Sequence, residues 1–215
     1  MLSDVSDFVG ITMTTQTANI LAVYPALPAK SVTELVALAK AKPGELNFAT
    51  SGTGNSVHMA GELFKWMTGI DVVRVNYKGA SQALTDLAAG QVQFMFAVPG
   101  SVLPHVKTGR LRALAVTSAK PSPLAPGLPT VAATLPGYES ASYLALFAPA
   151  GTPHAIVMRL NQETVRVLSR PDVQEKFLAA GIETVGNSPQ ALAATIKAEA
   201  TRMGKLIKAV GIRAD

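Results

Sequence analysis

The sequence contains no cysteine and only three histidines, His58, His105 and His154, which lie far apart. The absence of cysteine excludes disulfides, thiolate catalysis and zinc sites built on cysteine. The histidines form no HxH or HExxH pair, so the sequence predicts no metal site.

Charge is also scarce, since 15% of the 215 residues are charged and 48% are apolar. This balance favours a folded chain with a substantial core over long disorder. The formal net charge is +5, but the lysines and arginines are scattered and form no block. Because nucleic-acid binding needs a clustered basic face, we expect no nucleic-acid partner, and a mild positive field suits small anions better.

Long apolar runs are missing, and none approaches the roughly 18 residues of a membrane span. The N-terminus, MLSDVSDFVG, has neither the basic nor the apolar region of a signal peptide. If Met1 is the true start, these features predict a cytoplasmic protein.

Strand-like and helix-like segments alternate through the first half of the chain. Strands separated by helices predict an α/β fold with a mostly parallel sheet. A connection with five prolines, residues 121–136, is expected to run over the surface. We then expect a strand within 142–153 and helices near 154–169, 171–180 and 189–210.

Two helix starts carry capping signals. Ser31 and Glu34 form a capping box, in which the Ser31 hydroxyl accepts from the Glu34 amide and the Glu34 carboxylate reaches back. Thr152 is expected to cap a later helix, with Pro153 at its first helical position.

The stretch NFATSGTGNSVHMAGELF, residues 47–64, joins a strand to a helix through a glycine loop. Its hydroxyl, amide and backbone donors could surround an anion at the positive end of that helix. The alternative is a plain tight turn whose polar residues cap their own helix. The residues of this candidate anion site are Thr50, Ser51, Gly52, Thr53, Gly54, Asn55 and Ser56.

Gly52-x-Gly54 also resembles a dinucleotide-binding fingerprint. Its third glycine is replaced by Val57, and the acidic residue expected after the next strand is missing. No Gly-Lys-Ser/Thr occurs, which excludes a Walker loop. A nucleotide-dependent oxidoreductase is therefore the weaker alternative, and we expect no cofactor.

Two further loops follow predicted strands and precede predicted helices. Tyr77, Lys78 and Gly79 offer an aromatic ring, a positive charge and an open backbone, whereas the loop beginning at Ala97 offers mainly backbone groups. Because the carboxyl ends of parallel strands share one sheet edge, we expect these loops to face the same ligand. The alternative for Lys78 is a solvated surface lysine.

Catalysis has little support in the sequence. No GxSxG nucleophile elbow occurs. Ser56 and His58 lie two positions apart on a predicted helix and therefore point in different directions. The acidic residues show no pairing suited to general acid–base work. We expect a binding protein without catalytic residues, in which His58 is packed or caps the helix.

Five separated segments together cover nearly the whole chain and occur in the order found in one known family. They are VYPALPAKSVTELVALAKAKPGELNFATSGTGNSVHMAGELF, VNYKGASQALTDLAAGQVQFMF, LPHVKTGRLRALAVTSAKPSPLAPGLPTV, PGYESASYLALFAPAGTP and TRMGKLIKAVG. They resemble the Bug proteins, the extracytoplasmic solute receptors of tripartite tricarboxylate transporters.

The resemblance implies a type II periplasmic-binding-protein-like α/β fold, with two lobes, a hinge and a ligand in the cleft between them. It implies a small carboxylate ligand, delivered to a membrane permease without chemistry, and a periplasmic location. It also implies that residues 51–56 and 77–79 face the ligand.

Two departures from the family pattern matter. Ala97 and Val98 stand where relatives often have an acidic residue followed by asparagine. The first strand and glycine-rich loop of the first lobe are absent. The resemblance thus predicts lobe two at residues 20–142 and a remnant of lobe one, incomplete at its N-terminus, at 1–19 and 143–215. Exposed apolar surface would then favour homo-oligomers, and a folded non-binding remnant is a further alternative.

Overall fold

The computed structural model describes residues 7–211, which form two compact units. Unit 1 combines the described residues up to Thr17 with residues 142–205. Unit 2 combines residues 18–141 with the described residues from Leu206 onward. Within 7–211, no helix has both the length and the apolar character needed to cross a bilayer.

Strands and helices account for most of the described chain. The strands are β1 (Phe8–Ala18), β2 (Ile20–Val23), β3 (Asn47–Thr50), β4 (Val73–Asn76), β5 (Phe94–Ala97), β6 (Arg112–Val116), β7 (Ala141–Pro149) and β8 (Glu183–Thr184). The helices are α1 (Val32–Ala41), α2 (Ser56–Thr68), α3 (Ala80–Ala88), α4 (Pro99–Lys107), α5 (His154–Leu168), α6 (Pro171–Ala179) and α7 (Pro189–Val210).

Unit 2 is built on a five-stranded sheet with the order β4-β3-β5-β2-β6. β3 pairs in parallel with both β4 and β5, whereas β2 lies antiparallel between β5 and β6. Four strands therefore run in one direction and β2 runs against them. The predicted α/β fold with a mostly parallel sheet is confirmed.

The core of unit 2 contains an aromatic cluster between α2 and the sheet. Phe64 of α2 is fully buried and meets Phe94, Phe96 and Tyr138 edge to face. The ring centroids lie 5.7 to 6.3 Å apart, the range in which such contacts are favourable. This packing fixes α2, and with it the loop that precedes the helix, against the sheet.

Unit 1 contains a three-stranded sheet with the order β7-β1-β8, in which β8 is antiparallel to β1. Asn161 of α5 is buried, and its Nδ2 donates to the carbonyl oxygens of Ile11 at 2.9 Å and Asn187 at 2.8 Å. The Asn187 Oδ1 in turn accepts from the Met13 amide at 2.8 Å. One polar side chain thus ties α5 to β1 and to the segment before α7.

The helix starts agree with the capping signals in part. The Ser31 Oγ accepts from the Glu34 amide as predicted, but the Glu34 carboxylate accepts from the Lys30 amide. The predicted cap at Thr152 is wrong, because Pro153 occupies the cap position and α5 begins at His154 without a side-chain cap. Proline fixes its own φ but has no side-chain acceptor, so this helix start has a restricted backbone and no side-chain cap.

Candidate functional site

One edge of the five-stranded sheet collects the ends of its parallel strands. Thr50 at the end of β3 pairs with Asn76 at the end of β4, and Ala97 ends β5 nearby in the same sheet. Each strand leads through a short loop into α2, α3 or α4. The predicted position of the glycine loop, between a strand end and a helix that begins at Ser56, is confirmed.

The glycine loop is held by side chains from outside it. The Gly52 amide donates to the Asn76 Oδ1 at 3.0 Å, and the Gly54 amide donates to the His58 Nδ1 at 3.0 Å. Both glycines have positive φ, 118° and 78°, which strains other residues. The two amides that we expected to face an anion are therefore already bound within the protein.

Asn55 completes the loop by capping α2. Its Oδ1 accepts from the His58 amide at 2.9 Å, and its Nδ2 donates to the Ser51 carbonyl oxygen at 2.8 Å. This geometry matches the alternative in which the polar residues of the loop cap their own helix. It gives one of the first amides of α2 a side-chain acceptor. Because both groups of the Asn55 side-chain amide are used in hydrogen bonds within the loop and α2, other groups would have to bind an anion.

Three hydroxyl groups of the loop make no hydrogen bond with any residue in 7–211. Ser51 and Ser56 are partly exposed and Thr53 is exposed. Thr50 differs, because it is fully buried and its Oγ1 donates to the Asn76 Oδ1 at 3.2 Å. The hydroxyls of Ser51, Thr53 and Ser56 are therefore the side-chain donors of the loop that have no partner within 7–211.

The second loop presents a positive charge and an open helix start. Burial raises the pKa of Tyr77, and the nearby Asp86 side chain raises it further. Lys78 is exposed and forms no ion pair within the described chain. Gly79 caps α3 with its backbone only. Lys78 and the first amides of α3 thus remain available to an anion.

The third loop also opens a helix without a side-chain cap. Ala97 is 1% exposed and belongs to β5, so its side chain lies in the core. Val98 is the cap residue of α4, is 39% exposed and makes no side-chain capping bond. Two helix starts on this sheet edge therefore lack the internal cap that α2 has, which suits them to a carboxylate.

Sequence reasoning missed three residues at this edge. Asn76 ends β4 without a recognisable motif, yet its Oδ1 accepts from the Gly52 amide and braces the glycine loop. His58 was expected to be packed or to cap the helix; it is buried, and its ring also accepts from the Gly54 amide of the loop. Asn19 precedes β2 and is fully buried; its Nδ2 donates to the Ser56 carbonyl oxygen at 3.4 Å, and its Oδ1 has no donor within 7–211. The contacts of Asn76 and Asn19 join residues distant in sequence, so no local pattern marks them, whereas His58 and Gly54 lie four residues apart.

A cavity of about 360 Å³ lies in unit 1. It contains none of the predicted site residues, and its lining is mainly apolar, which suits a carboxylate poorly. The lining residues are Val9, Gly10, Thr152, His154, Val157, Met158, Pro189, Gln190 and Ala193. No cluster of three or more histidine and acidic side chains that could hold a metal occurs within 7–211.

Over residues 2–212 the sequence matches the family described as "Tripartite tricarboxylate transporter family receptor". The chain belongs to this receptor family. The resemblance to the Bug proteins is confirmed, and family members are periplasmic solute-binding receptors.

Protein BugT of Bordetella pertussis is 32% identical over 208 residues, which cover 96% of this chain and 64% of BugT. The structure described as "R. palustris Rpa4515 with adipate" is 38% identical, has a TM-score of 0.78 and is matched over 96% of this chain and 69% of its own. "MatC (Rpa3494) from Rhodopseudomonas palustris with bound malate" is 27% identical with a TM-score of 0.72, over 93% and 69%. The chain spans 60% to 64% of the length of the first curated relatives it matches.

These similarities identify the fold from the whole chain, whereas the strand order describes only one sheet. The predicted periplasmic-binding-protein-like α/β architecture is confirmed by structures that align along nearly all of this chain. The proteins matched are solute-binding receptors.

Proposed function

We propose that unit 2 of this chain binds a small dicarboxylate at the carboxyl edge of its sheet, as part of a periplasmic receptor that delivers the solute to a membrane permease. The observation that carries the proposal is the pair of helix starts without side-chain caps, α3 and α4, beside Lys78, which forms no ion pair within 7–211. Pro99 has no amide, and the Ser101 and Val102 amides donate to the Val98 carbonyl oxygen, so α4 offers the Gly100 amide. This amide, the first amides of α3 and the lysine supply positive potential and hydrogen-bond donors.

Two further points support a carboxylate rather than a larger anion. Relatives have adipate and malate in their structures. The loop hydroxyls of Ser51, Thr53 and Ser56 are neutral donors that can orient one carboxylate without a metal. The role of the receptor is binding and release, so no nucleophile or general base is assigned to any of these residues.

Titration with adipate and malate tests this proposal. Either ligand at 100 times its dissociation constant should stabilise the fold by about 2.7 kcal/mol. Lys78→Gln should weaken binding about threefold at low salt and less at high salt, because an exposed charge is screened. Lys107→Gln is the matched control, since Lys107 lies at the opposite end of α4.

Thermal shift and calorimetry give these values directly. Stabilisation by NAD and not by either dicarboxylate would favour the nucleotide-dependent oxidoreductase. No response to any of the three ligands would favour a folded remnant that does not bind. Equal effects of the two lysine substitutions would remove Lys78 from the site.

We also propose that this chain forms homo-oligomers through unit 1. Six large apolar side chains there are at least 40% exposed, and exposed apolar surface favours association. They are Leu144, Leu146, Phe147, Ile156, Leu160 and Val167.

Light scattering should therefore give a mass above that of one chain. Replacing Leu144 and Ile156 together by Gln should return the mass to that of a monomer. Trp66→Gln is the control, because Trp66 is 51% exposed but lies in unit 2. A monomeric wild-type chain at every concentration would contradict the proposal.

A further inference from the structure

His58 lies directly beneath the glycine loop, in the first turn of α2. Its side chain is 2% exposed, and its Nδ1 accepts from the Gly54 amide at 3.0 Å. Its own amide donates to the Asn55 Oδ1 at 2.9 Å. The ring is therefore a direct support of the loop that carries the hydroxyls of the proposed ligand site.

The other ring nitrogen faces charged groups from two elements. The His58 Nε2 contacts the Arg74 Nη1 of β4, and the Glu62 Oε1 of α2 lies 3.7 Å from the same nitrogen. The second oxygen of Glu62 is 3.6 Å from the Lys65 Nζ. His58 thus sits among two cations and one carboxylate.

The contact of the Nδ1 with the Gly54 amide requires a neutral imidazole. A neutral imidazole accepts one hydrogen bond, whereas an imidazolium accepts none. Because the Nδ1 accepts that bond, the ring proton lies on the Nε2, beside the Arg74 guanidinium and the Glu62 carboxylate. Protonation would turn the Nδ1 into a donor that faces the Gly54 amide and would add a second cation beside Arg74.

Burial is the main cause that lowers the pKa of His58, and the positive charge of Arg74 lowers it further. The carboxylate of Glu62 opposes this shift, while Lys65 adds to it weakly. Below about pH 6.5 the unfolded chain binds the proton more readily than the folded chain. Stability from His58 is therefore present above that pH and is lost as the pH falls toward the lower pKa of the folded state.

We propose that neutral His58 is the positioning residue that fixes the glycine loop in its ligand-binding shape, and that its protonation releases Gly54 and weakens ligand binding. Arg74 acts with it by disfavouring the charged ring. The ligand part rests on the proposed function, whereas the coupling between His58 and Gly54 is a property of the free protein.

The coupling can be measured without ligand, by NMR of the wild-type chain between about pH 8 and pH 5. We expect the amide signal of Gly54 to shift with the same midpoint as the ring signals of His58. A Gly54 amide that stays constant while His58 titrates would overturn the proposal.

Binding of adipate gives the second readout. His58→Leu removes the acceptor, so affinity should fall about tenfold at every pH. His58→Asn places the Oδ1 near the position of the Nδ1, so it should keep most of the affinity at pH 8. It should also lose the part of the pH dependence that belongs to His58, and the dependence that remains reports the titration of adipate itself.

Arg74→Met should move the loss of affinity to higher pH, because the ring then loses its nearest cation. Arg110→Met is the control on an exposed arginine of the same unit. Identical pH profiles for wild type and His58→Asn would overturn the ligand part of the proposal. If wild type binds no adipate at any pH, the proposed function fails, and the Gly54 titration alone decides whether His58 positions the loop.

Discussion

Replacing Phe64 by Ala is expected to lower the free energy of unfolding by about 3–5 kcal/mol. Phe64 is fully buried and meets three aromatic rings edge to face, so truncation leaves a cavity between α2 and the sheet. Phe94 and Phe96 are held by β5, and the Tyr138 hydroxyl donates to the Ala60 carbonyl oxygen, so these rings cannot readily collapse into the space. Urea denaturation followed by circular dichroism measures the change.

Trp66 provides a matched control on the same helix. It is larger than Phe64 but 51% exposed, so Trp66→Ala should change stability by no more than about 0.5 kcal/mol. Because α2 carries Ser56 and His58, Phe64→Ala should also weaken adipate binding, whereas Trp66→Ala should not. Equal losses of stability for the two variants would contradict the central place of Phe64 in the core.

Replacing Asn161 by Leu is expected to cost about 1–3 kcal/mol. Leucine has a similar branched shape, but it removes the donor that serves the carbonyl oxygens of Ile11 and Asn187. The Asn187 carbonyl oxygen keeps the Thr12 hydroxyl as a donor at 2.7 Å, so the main penalty is the loss of the buried donor to Ile11. The loss should appear as a lower midpoint of urea denaturation, with the slope of the transition unchanged.

The next residue on α5 tests whether the effect belongs to the hydrogen bonds. Gln162 is exposed, so Gln162→Leu makes a comparable polar-to-apolar change without removing a buried donor. It should leave the midpoint almost unchanged. If Asn161→Leu and Gln162→Leu behave alike, then Asn161 does not hold α5 to β1.

The sequence predicted unit 2 well because its signals are local. Apolar runs, a capping residue and glycines placed β3, the loop and α2 almost where they lie. β1 was missed because its buried positions do not alternate cleanly along its 11 residues. The proline-rich connection was expected on the surface, yet Val131 is fully buried and the Pro129 carbonyl oxygen accepts from Val116. A connection that adds to a sheet edge cannot be recognised from turn residues alone.

The candidate site was predicted at the level of loops but not of atoms. Strand order placed the three loops on one edge, because parallel strands end together. The partner of the Gly52 amide could not be predicted, since Asn76 lies 24 residues away and depends on the register of β4. The engagement of Tyr77 with Asp86 is likewise a tertiary contact. Sequence spacing predicts which groups lie close together at the site. Only the folded structure shows which of these groups already have hydrogen-bond partners within the protein.

In the glycine loop, the residues that hold the backbone differ from the residues that carry the hydroxyl groups. Asn76 and His58 hold the backbone, while the hydroxyls of Ser51, Thr53 and Ser56 make no hydrogen bond within 7–211. Mutation can therefore exchange these side chains one at a time without collapsing the loop. Under the proposed function, such single substitutions should change the preferred solute while the receptor keeps its fold.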